Sequence, residues 1–303
     1  MVKTATKATK TTKTKKTSAS AAAKGKKPAT KAKKVTAEKV TAKPTKKLTT
    51  ASLYAWNKWL ALLYVVQGIA IVVAGAAYSL PVTTGFLTKD TFASKANETP
   101  ILAPAVEHLF DINLVYLVAA FLFVAAITHI LLATVLRKRY EQELPARINR
   151  VRWAGFGLVG VLMVVTMSII SGVQDASLLL TLVGATVIAA LSGLAIEVYS
   201  QGTPRHRLAY VIAWLASVLP WLVIGIYLLG ANVYGSGSIP AYVYGIVVSM
   251  FVLFIGFALN LYFQYKGRGK WADYLYAERT YSILVFVAAT ALAWQVFFGA
   301  LKP

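Results

Sequence analysis

The chain reads as an all-α integral membrane protein: a bundle of seven transmembrane helices behind a Lys-rich N-terminal tail. Three observations predict this class. Mean hydropathy is +0.61, and 57% of the 303 residues are hydrophobic, above the roughly half of a soluble globular domain. Seven windows, approximately 58–80, 112–136, 152–173, 176–199, 208–230, 240–265 and 280–300, hold enough apolar residues to cross a bilayer, which takes about 20 for a hydrocarbon core of about 30 Å. They lack the period-two alternation of a barrel wall, so the spanning element is the helix. Finally, 16 of the 32 Lys and Arg lie in residues 1–48, where Glu38 is the only acid, so most of the net charge of +21 belongs to the tail.

The tail, residues 1–50, is built from Lys, Thr, Ala and Pro without an aromatic residue. It has almost nothing to bury against the entropy of ordering and is expected to be disordered. No apolar stretch follows its first basic residues, so it does not read as a secretory signal. Its expected partner is anionic lipid at the bilayer surface. Nucleic acid is the rival, since Lys-Ala-Pro composition resembles linker-histone tails and would bind by counterion release. Residues 51–303 form the membrane domain.

Basic residues in short loops orient the bundle. The second connection, "RKRYEQELPARINRVR", the fourth, "QGTPRHR", and the sixth, "YKGRGKWADYLYAERT", carry them and share a side with the tail. The third connection, near Gln174 and Asp175, and the fifth, "ANVYGSGSIPAY", carry none. The expected topology has a cytoplasmic N terminus and an extracellular C terminus in the plasma membrane. The first connection, from about 81 to 111, is long for a compact bundle. Its Thr, Val and Phe, broken by Pro and Gly in "YSLPVTTGFLTKDTFAS", suggest a short extracellular hairpin.

No enzyme constellation emerges. Cys is absent, and His108, His129 and His206 sit in different segments, so neither a metal site nor a thiolate is expected. "YGSGS" at 234–238 lacks the strand-to-helix setting of a nucleophile elbow and reads as a loop. Ionisable residues within spans are costly and mark function by default. The best of them here are His129 and Glu197, with Glu197 expected to reach the interface from its span end. Asp175 is expected to cap the fourth span, and Gln67 to bond across helices. Spans three, five and seven have no acid or base at mid-depth, which argues against proton pumping. The aromatic residues from Tyr262 to Tyr281 read as an interfacial belt. Trp214, Trp221 and Trp294 lie deeper, as core packing or as walls of an apolar pocket.

Residues 243–301, "VYGIVVSMFVLFIGFALNLYFQYKGRGKWADYLYAERTYSILVFVAATALAWQVFFGAL", resemble the last two helices and intervening loop of the heliorhodopsins. "WNKWLALLYVVQGIA", "YSLPVTTGFL", "INRVRWAGF", "EVYSQ" and "PWLVIGIYLL" extend the resemblance over nearly everything after Trp56. It implies a rhodopsin-like bundle with a cytoplasmic N terminus, retinal as cofactor, homodimers, and light sensing rather than pumping. The family joins retinal to a Lys in a seventh-helix pattern typified by "VAKSALAWQ"; this chain reads "VAATALAWQ", with Ala289 at that position and Val285 where the family has Ser. The counterion Glu of "RWVEY" corresponds to Gly155 in "RWAGF". A first-helix His corresponds to Tyr64, and the second-helix His is kept as His129.

A Schiff base requires a primary amine, and each Lys beyond the tail (58, 89, 95, 138, 266, 270 and 302) falls at a helix end or in a loop. The expected protein therefore has no covalent cofactor. Non-covalent retinal or another lipophile remains open, around Ala289, Gly155, His129, Gln67, Tyr64, Trp221 and Trp294. Losing the Lys and the Glu together is coherent, because a buried carboxylate without its cation is expensive. On this reading Ala289→Lys alone gives a weak pigment, and adding Gly155→Glu improves it. The alternative function is a membrane-anchored interaction protein working through the tail on anionic lipid, nucleic acid or an acidic partner; a channel or carrier ranks last.

Overall fold

The computed structural model describes residues 49–200 and 207–303. The tail through Leu48, with Arg205 and His206 of the fourth connection, lies outside the described residues. Seven helices are long and apolar enough to cross a membrane. They are α1 (Thr50–Ala74), α3 (Leu114–Ala133), α5 (Arg150–Ile170), α6 (Ala176–Ser200), α7 (Arg207–Tyr234), α8 (Ala241–Lys266) and α9 (Tyr274–Val296), the last continued by a π turn over Phe297–Leu301. Short helices α2 (Thr91–Ala96) and α4 (Arg137–Glu143) lie in connections, and β1 (Ser79–Lys89) pairs antiparallel with β2 (Leu102–Asn113).

Local chemistry sets the helix ends. Thr49 and Ser52 form a reciprocal capping box, so α1 starts eight residues before the hydropathy window and one before the expected domain boundary at 51. Asn149 starts α5 by accepting from Arg152 N at 2.9 Å, and Asp273 starts α9 by accepting from Leu275 N at 3.0 Å. As a result α9 begins ahead of the apolar window at 280, and Glu278 belongs to the helix rather than to the loop. On α1, Trp59, Leu62, Val66, Ile69 and Val73 recur every three or four residues and are exposed, while Leu53, Leu60, Tyr64, Gly68 and Ile71 face inward. Both stripes are mainly apolar because one meets lipid and the other meets neighbouring helices.

One end of the bundle, here the basic end, carries the start of α1 and the α3–α5 and α8–α9 connections. The opposite end carries the hairpin. β1 and β2 pair from Ser79↔Asn113 to Lys89↔Leu102, with an irregularity between Val82 and Thr83. Gln174 O accepts from Thr83 N at 2.9 Å, and Asp175 Oδ2 accepts from Gly85 N at 3.1 Å. Asp175 also caps α6, its Oδ1 accepting from Leu178 N at 3.0 Å and from the Ser177 hydroxyl. One carboxylate thus starts a helix and pins the hairpin. The Ser177 hydroxyl, then the Leu178 and Gly85 amides, hold its pKa below the usual Asp range.

Because that pKa is lowered by folding, the contribution is complete above the unfolded value near 3.9 and is lost as pH falls through the folded value. Asp175→Ala is expected to cost about 1 kcal/mol as a lost cap and to speed hydrogen exchange at the Gly85 amide. Unchanged exchange there would mean the hairpin is held by other contacts.

Candidate functional site

The positions singled out from sequence separate into a closed seam and an open cavity. The seam lies where α1, α3, α5 and α9 meet. Ala289 of α9 is fully buried. A Cβ built on Gly155 would overlap the Thr128 side chain of α3, so glycine there permits close helix approach rather than leaving a void. His129 Nδ1 lies 2.8 Å from Asn57 Oδ1, and Tyr64 stacks on the His129 ring at 5.7 Å while meeting Phe286 edge-on at 5.4 Å. Trp294 Nε1 donates to Gln67 Oε1 at 3.1 Å, joining α9 to α1.

The cavity, about 250 Å³, lies on the other side of α5 and α9. Its wall runs from Trp153 to Met167 on α5, Thr186 to Ala190 on α6, Tyr210 to Trp221 on α7, Met250 to Leu261 on α8 and Tyr281 to Ala288 on α9. None of the described residues that line it is charged. Of the seven positions expected to hold a cofactor, Trp221 alone lines this wall, packed edge-on against Phe251 at 5.2 Å. Ala289, Gly155, His129, Gln67, Tyr64 and Trp294 are not among its lining residues. Pro220 sits in the wall within α7, where its missing N–H interrupts the backbone ladder.

At the basic end, beside the cavity, sequence reasoning missed a buried ionic cluster. Arg152 of α5 donates from Nη1 to Glu278 of α9 and from Nη2 to Glu197 of α6, with all three side chains at most 2% exposed. Asn149 donates from Nδ2 to Glu278 Oε1 at 2.6 Å and from its backbone N to Glu197 Oε2 at 3.1 Å. Gln264 Nε2 on α8 donates to Glu197 Oε1 at 2.8 Å, and the Tyr274 hydroxyl to Glu197 Oε2 at 3.2 Å. Glu197 therefore does not reach the interface; its charge is neutralised inside the bundle. The signal available was three ionisable groups within or next to apolar windows, two acids and one base.

The cluster touches the cavity through two shared side chains. The Arg152 guanidinium lies 4.4 Å from the Tyr281 ring and 5.2 Å from the Trp153 ring, and both rings line the wall. The outer edge of the Trp153 indole also lies against Gly193 of α6, where any Cβ would collide with it. Among the described residues no group of His, Asp and Glu could hold a metal ion.

A seven-helix membrane bundle with an interior apolar cavity and a buried charge cluster at one end places the chain among the rhodopsin-like membrane proteins. The family model for heliorhodopsin matches residues 53–301, and the chain belongs to the heliorhodopsin family. No curated protein shows a significant match.

Breaking a buried ion pair costs about 3–5 kcal/mol, whereas replacing all its members together costs far less. Arg152→Met is accordingly expected to lower the melting temperature in detergent sharply. Adding Glu197→Gln and Glu278→Gln to it should recover much of the loss. A single variant melting like the wild type would show that the cluster does not hold the basic end.

Proposed function

We propose that this heliorhodopsin-family chain is a membrane sensor or binding protein that forms no retinal Schiff base and holds retinal or another lipophile non-covalently in the α5–α9 cavity. The observation that carries this reading is a cavity walled by apolar and aromatic side chains of five helices with no amine among them. Such walls suit an apolar ligand. The position matched to the family's linking Lys, Ala289, is buried one residue beyond the wall residue Ala288. A covalent cofactor does not fit these residues. A pump is disfavoured because none of the described residues that line the cavity is charged.

The proposed orientation has the basic end in the cytoplasm and the C terminus outside the plasma membrane, supported by Arg137, Lys138, Arg139, Arg147, Lys266, Arg268 and Lys270 in the connections at that end. A homodimer is the proposed assembly. A second reading, a membrane anchor presenting the tail to anionic lipid or nucleic acid, is favoured by one specific observation: sixteen Lys against one acid in residues 1–48.

The deciding experiment is an absorption spectrum of the purified protein before and after adding all-trans retinal, followed by acid denaturation. A structured band distinct from free retinal, released unmodified by acid, is the expected result. No spectral change in full-length protein moves the function to the tail.

The crowding at Gly155 alters what reconstruction of a pigment requires. Ala289→Lys with Gly155→Glu is expected to fail, because the new side chain meets Thr128. Adding Thr128→Ala should permit a visible pigment, measured as an acid-stable chromophore–protein adduct. A strong pigment from the double variant would show that α3 and α5 separate easily.

A further inference from the structure

Independently of the interior cavity, we propose that the α8–α9 connection binds the phosphate headgroup of an anionic phospholipid in the leaflet at the basic end, through Lys266, Arg268 and Lys270 with Arg147 beside them. Cation and glycine alternate here in "KGRGK", and all five residues are exposed. Gly267 caps α8 at φ 58, and Gly269 follows at φ 56, conformations that residues with a side chain rarely adopt. A Cβ built on either glycine would meet no atom within 4 Å. The backbone between the three cations is therefore open to an approaching group.

The connection is held in one shape from several directions. Arg268 N donates back to Phe263 O at 3.3 Å, and Trp271 N donates to Arg268 O at 3.0 Å. Trp271 Nε1 donates to Asn260 Oδ1 at 2.6 Å, and the indole packs against the Phe263 ring at 4.9 Å and the Tyr276 ring at 5.1 Å. Arg147, exposed and at φ 58 in the α4–α5 connection, donates from Nη2 to Ala272 O at 3.1 Å. A second connection thus delivers a fourth cation to the same place. A site shaped before its ligand arrives loses less entropy on binding.

Charge and depth decide the partner. In the α3–α5 connection Arg137 pairs with Glu141, while Arg139 and Arg150 share Glu143. Among the described residues, none of Lys266, Arg268, Lys270 and Arg147 pairs with an acid. The acids that follow along the chain are committed, Asp273 to the start of α9 and Glu278 to Arg152. An exposed cationic site of this kind takes an anion, and phosphate oxygens accept charge-assisted hydrogen bonds from ammonium and guanidinium groups. The 26 residues of α8 measure about 39 Å at 1.5 Å per residue, against a hydrocarbon core of about 30 Å. Lys266, its last residue, therefore emerges at the level of the headgroups. Its Nζ lies 5.9 Å from the Tyr262 ring, and Lys270 Nζ lies 5.8 Å from the Tyr276 ring. Aromatic rings at a span end belong to that same layer.

Full-length protein is placed in phosphatidylcholine nanodiscs with a rising content of phosphatidylglycerol, and amide hydrogen exchange is followed across residues 266–272. Exchange there should slow as phosphatidylglycerol rises. Arg268→Gln, a change at an exposed side chain that should melt like the wild type, is expected to raise the midpoint about fivefold, the factor for one basic residue close to an anionic surface. The triple variant Lys266→Gln, Arg268→Gln, Lys270→Gln should lose the protection throughout. Removing the same charge from the tail, with Lys13→Gln, Lys15→Gln and Lys16→Gln, should leave the midpoint where it was.

Equal effects of the tail and connection triples would overturn the site in favour of diffuse attraction to net charge. Protection by soluble glycerol phosphate in pure phosphatidylcholine nanodiscs, matching that by phosphatidylglycerol, would replace the lipid with a free phosphate compound. Exchange at 266–272 that ignores phosphatidylglycerol would overturn the proposal outright, and neither of these results touches the reading of the cavity.

Discussion

The guanidinium of Arg152, shared by Glu197 and Glu278, is the interaction on which the basic end of this bundle depends. It joins α5, α6 and α9 in one contact, and Gln264 brings in α8. In hydrocarbon no hydrophobic force draws apolar helices together, so packing and interhelical polar bonds must do so. Three ionisable groups that would each be costly alone become a tie because nearly every oxygen and nitrogen has a partner. The same tie fixes Trp153 and Tyr281 between the charges and the cavity.

Around this tie the interior divides unevenly. Toward α1 and α3, Gly155 admits Thr128, and Tyr64 fills the space between His129 and Phe286, so the seam is closed. Toward α7 and α8 the helices stay apart, and aromatic side chains line the gap instead of filling it. Small residues at one contact and large ones at another produce this asymmetry, since backbones approach only as closely as the side chains between them allow. At Gly155 the neighbouring helix, through Thr128, occupies the room a larger side chain would need.

Much of the architecture was legible in the residues. Seven spans follow from apolar runs long enough to cross a bilayer, and the family follows from motifs such as "QYKGRGKW" and "ALAWQ", in keeping with the match over residues 53–301. Helix starts were less legible. Hydropathy placed the seventh span at 280, whereas the Asp273 cap begins it at Tyr274 and draws Glu278 into the bundle. Transfer preference scores each side chain as if alone, so Glu278 and Arg152 looked like loop residues and Glu197 like an interfacial one. Their pairing across 126 and 45 positions has no local signature.

By itself the sequence determined the spanning elements, the charge asymmetry between tail and body, and the absence of an amine in the interior stretch that includes Ala289. These are properties of residue type and of short runs, governed by transfer into lipid and by covalent chemistry. Tertiary structure alone decided that Gly155 packs against Thr128, that the open volume is walled by α5, α6, α7, α8 and α9, and that Arg152, Glu197 and Glu278 meet. Those outcomes depend on which side chains meet across separate helices, and van der Waals packing and hydrogen bonding act over distances in space that sequence separation does not encode.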